Sequence, residues 1–184
     1  MFLNFLKCML QLILSPTHGW EDISAEGRDE HSVAVGGLYP LLALAGASAF
    51  VGMAFHQELT FIVAVQRAMV TFVAYFASYF FSMFMLSFLL APLVSGGEVN
   101  DRRLSTFVSY VIALMALLTL IDNCLPTSPA VIGFLPLYII VILWKGWRYM
   151  AVVPGRVIRF VIIGFVTIML PPYALRLLFH FIVG

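Results

Sequence analysis

The residues best suited to chemistry lie near the N-terminus, where His18, Glu21 and Asp22 are spaced by one turn of a helix. A histidine and an aspartate four residues apart share a helix face, and an imidazole with carboxylates can ligate a divalent cation. No further histidine or cysteine stands at ligand spacing. We therefore interpret these three residues as a solvated polar face, and we expect neither a metal nor another cofactor.

Motifs of catalysis are not found in the sequence. It contains no nucleophile elbow, zinc-binding His-Glu-x-x-His, phosphate-binding loop or dinucleotide fingerprint. The two cysteines, Cys8 and Cys124, are too far apart in sequence for a metal or redox motif, and we interpret both as small apolar side chains within the membrane. We predict that the protein is not an enzyme.

The composition is that of a membrane protein. Hydrophobic residues make up 62% of the 184 residues and charged residues 10%, and the mean hydropathy is +1.04. Soluble domains carry about 25% charged residues, so this chain lacks the polar surface that contact with water requires. The net charge of +1 argues against nucleic-acid binding, which needs a basic surface. The sequence predicts an all-α, polytopic bundle whose main partner is the lipid bilayer.

The first 32 residues are predicted to lie outside the hydrocarbon core. Residues 2–14 place Asn4, Lys7 and Gln11 on one stripe of an otherwise apolar helix, which is typical of a short amphipathic helix in the membrane interface. Residues 17–31 then hold five of the nine acidic residues and form a polar, acidic cytoplasmic segment.

Five transmembrane helices are predicted in the second domain, residues 33–184. Each is a long run with few or no charged residues, and about 20 apolar residues cross a bilayer. The predicted spans are 33–55, the uncharged run that follows Arg67 and ends near Pro92, 104–121, about 128–144, and 160–181.

The basic residues predict the orientation. With five spans, eight of the ten basic residues share the side of the N-terminus, and only Arg67 and Arg176 remain on the other side. Because basic residues are enriched in cytoplasmic loops, we expect a cytoplasmic N-terminus and a C-terminus on the opposite side of a bacterial inner membrane. The eight residues are Lys7, Arg28, Arg102, Arg103, Lys145, Arg148, Arg156 and Arg159.

Small residues predict a helix-packing seam on the second span. Ala74, Ser78 and Ser82 follow one another at intervals of four residues, so they line one helix face and permit close approach of a neighbour. On the fifth span, Pro171 and Pro172 predict a helix break with unpaired carbonyls about one turn earlier. In lipid such carbonyls must be covered by neighbouring helices or line a wet path.

Two ionisable residues, Arg67 and Asp122, lie near the non-cytoplasmic ends of their predicted spans. Ionisable groups within a membrane are functional candidates, because their burial is costly without a partner. Transport would require several such groups near the midplane, and the sequence offers none there. We interpret both residues as snorkelling or loop positions.

The segment LSPTHGWEDI, residues 14–23, resembles the Pro…Trp-x-x-Ile opening of the Yip family, membrane proteins named for their interaction with Ypt/Rab GTPases. The five-span, N-inside layout is also similar and covers the whole chain, as in short bacterial-type members. The resemblance implies this fold and a role as a scaffold in membrane organisation. Pro16 and Trp20 share a helix face. Together with Glu21 and Asp22 they are candidate partner or interface contacts. Alternatively, Trp20 anchors the chain at the membrane interface.

Two functions remain open from the sequence. The first is a non-catalytic scaffold that binds other membrane proteins, with homo-oligomers an open alternative. The second is a small transporter or channel subunit for an ion or an apolar solute. The polar groups available near the midplane are hydroxyls, which commonly join helices to one another, and this favours the scaffold. These hydroxyls belong to Ser78, Ser82, Thr119 and Thr167.

Overall fold

A computed structural model of the protein describes residues 1–27, 29–55, 60–125 and 129–183. Two positions used in the predictions, Arg28 on the basic side and residue 128 at the start of the fourth span, lie outside these ranges. Within them the chain is helical and contains no β-strand, which confirms the all-α prediction.

Nine α-helical segments occur in the described ranges, and two π-helical turns join some of them into longer rods. The turn at Ala34–Leu38 joins Glu30–Val33 to Tyr39–Gly52, and the turn at Phe165–Met169 joins Val157–Gly164 to Leu170–Val183, in both cases without a break in the helix. The segments are α1 Phe2–Leu14, α2 Pro16–Glu26, α3 Glu30–Val33, α4 Tyr39–Gly52, α5 Phe61–Leu89, α6 Asp101–Cys124, α7 Pro129–Lys145, α8 Val157–Gly164 and α9 Leu170–Val183.

Four helical rods are long and apolar enough to cross a membrane: His31–Gly52, Phe61–Leu89, Asp101–Cys124 and Pro154–Phe181. The predicted fourth span corresponds to α7, which has 17 residues and a length of about 26 Å, at the lower limit for a span. Because its C-terminal end packs near the start of α6, α7 runs antiparallel to α6 along the bundle.

The second span begins earlier than predicted. We expected Arg67 at its edge, but α5 begins six residues before it, at Phe61. The hydroxyl of Thr60 caps the helix by accepting from the Val63 N–H, and the apolar residues between Thr60 and Arg67 extend it. Arg67 therefore lies on the helix itself, in its second turn.

α6 is the central helix of the bundle. Every residue from Leu104 to Ala116 is buried, and α6 contacts α4, α5, α7 and the second π turn. Hydroxyl pairs fasten it to its neighbours, as where the Tyr79 and Ser105 oxygens lie 2.9 Å apart. A helix buried on all sides needs no polar face, which explains why its hydrophobicity shows no strong periodicity.

The connections α5–α6 and α7–α8 meet at one end of the bundle, which we call the proximal end (residues 90–100 and 146–153). The Ser95 N–H donates to the Ala151 carbonyl and the Val153 N–H to the Leu93 carbonyl, each over 3.0 Å. These bonds form an isolated antiparallel bridge between the connections. The two connections therefore share one end, as five spans require. The opposite end, formed by residues 119–124 of α6 and 176–180 of α9, is the distal end.

α1 lies across the bundle near the proximal end. The Phe5 ring stacks on Tyr110 at 4.7 Å and fills the space left by Gly37, while the Tyr138 hydroxyl donates to the Ile13 carbonyl. Gly37, Tyr110 and Tyr138 lie seven to nine residues from the proximal ends of their helices, which corresponds to about 10–14 Å. Both ends of α1 therefore lie at a similar depth, as for a helix parallel to the membrane plane.

Candidate functional site

The α1–α2 hairpin is held to the bundle by Trp20. This side chain is only 3% exposed, its Nε1–H donates to the Ile142 carbonyl over 2.9 Å, and its ring lies 5.1 Å from the rings of Phe107 and Tyr149. The interpretation of Trp20 as a membrane-interface anchor is therefore wrong, as is its placement at a partner surface. A large aromatic with one polar atom suits either setting, and here the Ile142 carbonyl satisfies the indole.

The two helices of the hairpin approach each other closely at Gly19. A Cβ at this position would lie 2.8 Å from the Leu12 Cα, which leaves room only for glycine. Two side-chain bonds add to this contact: Gln11 donates to Asp22, and the Cys8 Sγ lies 3.3 Å from a Glu26 oxygen. The hairpin is therefore a packed unit.

The other predicted contact residues of α2 are more accessible than Trp20. Pro16 occupies the first turn and is half-buried, whereas Glu21 and Asp22 are exposed. The Glu21 carboxylate lies 3.2 Å from the His18 Nδ1, while the Asp22 carboxylate accepts from Gln11 of α1. His18 and Glu21 therefore lie together while Asp22 faces α1, and the described residues contain no cluster of three that could hold a metal ion.

Basic residues flank this acidic helix at the proximal end. A cavity of about 240 Å³ beside α2 is lined by Arg102, Arg103 and Tyr149, and another of about 140 Å³ by Lys145 and Arg148. Burial raises the pKa of the Tyr149 phenol, while its hydrogen bond to Thr106 and the charges of Arg103 and Arg102 act in the opposite direction. The phenol is therefore neutral at pH 7 and serves as a hydrogen-bonding group between the two cavities.

The predicted seam of Ala74, Ser78 and Ser82 lies inside the protein, with each residue 0% exposed. The Ser82 hydroxyl lies 2.7 Å from the Thr167 carbonyl in the second π turn and 2.6 Å from the Ser78 carbonyl on its own helix, so its one hydrogen is shared between two acceptors. The seam therefore packs against the rod that carries the two prolines.

The prolines do not break that rod. Pro171 and Pro172 are the second and third residues of α9, directly after the π turn, and the helix continues through them. Their missing N–H groups are those that would reach the Thr167 carbonyl in an α- or a π-helical bond. Ser82 supplies the replacement donor. The predicted break is therefore a continuous helix with one carbonyl satisfied from outside.

The distal end contains a half-buried cation, Arg176, which was not among the predicted site residues. The Arg176 Nη2 donates to the Thr119 hydroxyl over 3.1 Å, and its guanidinium carbon lies 4.7 Å above the centre of the Tyr75 ring. The Tyr75 hydroxyl in turn donates to the Met115 carbonyl over 2.9 Å. The Arg176 Nε is buried, and no partner for it is found among the described residues. One signal was available in the sequence: apart from the C-terminus itself, Arg176 carries the only formal charge in residues 160–184.

Arg67 and Asp122 join Arg176 at a common cavity of about 260 Å³. Asn123 also lines it and donates to the Ser48 hydroxyl over 2.9 Å. Both Arg67 and Asp122 are exposed, which fits snorkelling positions near helix ends, but three helices bring them to one cavity, which the sequence did not predict. In the part of the chain that the structure describes, no carboxylate lies within 4.0 Å of either arginine.

A second cavity, of about 510 Å³, lies beside the first between α6, α7 and the rod formed by α8 and α9. The two cavities share Thr119, Asp122 and Arg176. The remaining lining is almost entirely apolar and consists of Leu118, Pro136, Leu137, Ile140, Phe165, Met169, Leu170 and Tyr173. The distal end thus combines a polar, cationic chamber with a larger apolar one.

Together these features define a polytopic integral membrane protein with an acidic helix at one end of its bundle and a cationic cavity at the other. Comparison of the chain with protein-family models, curated proteins and solved structures finds no match. The resemblance to the Yip family therefore stays a prediction from residues 14–23.

Proposed function

We propose that the protein is a non-catalytic, Yip-like scaffold of the membrane whose α1–α2 hairpin presents an acidic surface to a partner protein. The observation that carries this proposal is the contrast between the two sides of α2. Its inner side is fixed to the bundle by the buried Trp20, while its outer side exposes the carboxylates of Glu21 and Asp22.

A fixed surface favours recognition, because little conformational entropy is lost when a partner binds. The short distance between Gly19 and Leu12 and the hydrogen bond of Trp20 hold α2 in one position. The carboxylates are then displayed at constant spacing. A partner that fits them has a cationic surface, and we expect electrostatic attraction to govern its rate of association and its salt dependence.

The interior supports a structural role for the helices. A conduit along the proline-containing rod would leave the Thr167 carbonyl facing a wet path, but Ser82 covers this carbonyl within the packed bundle. In lipid, a helix with a purely structural role is expected to have its free carbonyls covered by neighbouring helices.

The proposed orientation places α2 in the cytoplasm of a bacterial cell. Its support is the position of the basic residues, since Arg102, Arg103, Lys145 and Arg148 all line cavities at the proximal end beside α2. Basic residues concentrate on the cytoplasmic side of inner-membrane proteins. A cytoplasmic partner would then meet the acidic face of α2 directly.

The test is affinity purification in a mild detergent from cells that express the wild type or Glu21→Lys/Asp22→Lys, followed by quantitative mass spectrometry. We expect a protein with a cationic surface to co-purify with the wild type and to be reduced by about tenfold or more with the variant, since two charge pairs are replaced by like charges. Raising the salt concentration should weaken the association in the same way.

The matched control is Asp29→Lys/Glu98→Lys, which changes the net charge by the same amount at two exposed carboxylates away from the outer side of α2. It should leave co-purification unchanged. If both double variants lose the partner equally, or if no cationic protein is retained by the wild type, the proposed role of the α2 face is wrong.

The alternative is a small transporter or channel subunit, and the distal cavities are the observation that favours it. Its test is flux of an ion or an apolar solute into liposomes that contain the purified protein. We expect no flux above that of empty liposomes, because no ring of charges for selectivity is found among the described residues. Saturable flux that disappears in Pro171→Leu/Pro172→Leu would replace the scaffold by the conduit.

A further inference from the structure

We infer that the two distal cavities form one binding site for an amphiphile with an anionic oxyanion head group and an acyl chain, such as a membrane phospholipid or its single-chain form. The head group would lie in the cationic chamber between Arg67 and Arg176, and the acyl chain in the apolar chamber between α6, α7 and the α8–α9 rod. This inference does not rest on the partner-binding role of α2.

The first support is the state of Arg176. Its guanidinium is an obligate cation with five N–H donors, of which Nη2 donates to the Thr119 hydroxyl over 3.1 Å. The buried Nε has no acceptor among the described residues. A half-buried cation with a buried, unpaired Nε is costly within a membrane unless an anion completes its coordination. An oxyanion is the natural ligand of a guanidinium, because its oxygens accept the parallel N–H bonds.

The second support is the charge of the chamber. Arg67 and Arg176 outnumber the single carboxylate of Asp122, so the described lining carries a net positive charge without His180. The ring of Tyr75 and the hydroxyl of Thr119 hold Arg176 in place, and Arg67 is the exposed cation of the lining. An anionic head group therefore complements the chamber, whereas a head group that also carries a cation complements it less well.

The third support is the shape and lining of the neighbouring chamber. Its volume of about 510 Å³ lies within the range of small-molecule sites, and its walls are aliphatic and aromatic. Leu137 of α7 forms part of the wall and is largely exposed, so the chamber is open towards the lipid side of the bundle. An acyl chain can enter from the bilayer without crossing a polar barrier. Free phosphate would leave this chamber unused.

The experiment measures binding to the full chain in an uncharged maltoside detergent, by native mass spectrometry and by the shift of the thermal unfolding midpoint. The probes are 1-oleoyl-lysophosphatidylglycerol, 1-oleoyl-lysophosphatidylcholine, monoolein and inorganic phosphate. The first three share one chain and differ in head-group charge, while the last has the charge without the chain. We expect the anionic lysolipid to bind at least about tenfold more tightly than the other three, the difference that one charge-assisted hydrogen bond provides.

Four variants locate the site. Arg176→Gln should lose about tenfold or more in affinity for the anionic lysolipid, and Arg176→Lys should lose less, because the charge is kept while the parallel N–H donors are removed. Leu137→Trp should weaken all three acyl probes by filling the apolar chamber. Arg159→Gln removes an exposed arginine from the proximal part of the same rod and should change nothing.

The unfolding midpoint of each variant without lipid separates loss of binding from loss of folding. If Arg176→Gln does not fold, Arg176→Lys and Leu137→Trp decide, since both keep the cation. Leu137→Trp should then lose affinity for all three acyl probes, and Arg176→Lys should lose affinity for the anionic lysolipid alone. Equal affinity for the anionic and zwitterionic lysolipids would overturn the inference. So would equal binding of inorganic phosphate and the anionic lysolipid, or unchanged affinity in Arg176→Gln. None of these results bears on co-purification through Glu21 and Asp22, so the two proposals fail separately.

Discussion

Replacing Ser82 by alanine removes the donor that covers the Thr167 carbonyl. The carbonyl is buried, and the rings at Pro171 and Pro172 occupy the positions of both helical donors that could replace Ser82. A buried acceptor left without a partner costs about 1–3 kcal/mol, whereas hydrogen bonds between membrane helices measure about 0.6 kcal/mol on average. Because no alternative donor is present, we expect Ser82→Ala to lower the free energy of unfolding by about 1–2 kcal/mol.

The control is Ser87→Ala on the same helix. The Ser87 hydroxyl donates only to the Phe84 carbonyl one turn earlier, over 2.7 Å, so its removal leaves that carbonyl with its ordinary helical environment. We expect a change below about 0.5 kcal/mol, as for a substitution away from any buried network. Both free energies are measured by titrating the detergent-solubilised protein with a denaturing detergent.

A double-mutant cycle then tests the cause. Pro171→Leu/Pro172→Leu restores two backbone N–H groups, one of which can bond to the Thr167 carbonyl. In that background Ser82→Ala should cost at least about 1 kcal/mol less than in the wild type, a coupling typical of groups that share one acceptor. If Ser82→Ala costs the same in both backgrounds, or if it costs no more than Ser87→Ala, the explanation of the continuous rod is refuted.

Three further predictions concern packing and orientation. Ser78→Leu should lower the unfolding free energy by about 1–3 kcal/mol, because Ser78 is fully buried in the seam. The control Leu89→Phe, at a position that is 41% exposed, should change this free energy little. Equal tolerance at both positions would place the seam against lipid. Gly19→Ala should lower the free energy of unfolding by about 1–3 kcal/mol in the same titration, since the clash of the added Cβ with the Leu12 backbone outweighs the better helix propensity of alanine. A more stable variant would show that the hairpin has room for a methyl group at this position. A membrane-impermeant maleimide applied to intact cells should label a protein that retains only Cys124 and spare one that retains only Cys8; the opposite pattern would invert the proposed orientation.

The apolar runs of the sequence were sufficient to predict an all-helical membrane bundle, because the bilayer imposes both length and composition on a span. The edges of the spans were harder to predict. Arg67 looked like a boundary, yet α5 begins at Phe61, since a long arginine near a helix end can extend its charge towards water. Charge alone therefore marks the edge of the hydrocarbon and not the edge of the helix.

The sites depended more on tertiary contacts than on any local pattern. A tryptophan such as Trp20 is typical of the membrane interface, so its burial could not be read from the local sequence. Its indole N–H bonds to the carbonyl of Ile142, which is 122 residues away in sequence. Arg176 is conspicuous as a charge in an apolar segment, but its partners Tyr75 and Thr119 come from two other helices. In contrast, the need to cover the carbonyls before Pro171 follows from proline chemistry alone. Only the identity of the donor, Ser82, required the structure.

The position of α1 also gives the molecule unequal cross-sections in the two leaflets. A helix of 13 residues is about 20 Å long and about 10 Å wide, so α1 adds roughly 200 Å² of area at the proximal end. Leu3, Leu10 and Leu14 face outward from it, which keeps this added area in contact with acyl chains. No matching helix lies across the described part of the distal end. Many copies gathered in one patch of bilayer would therefore expand one leaflet relative to the other and favour bending of the membrane towards the distal side, so that the proximal face becomes convex.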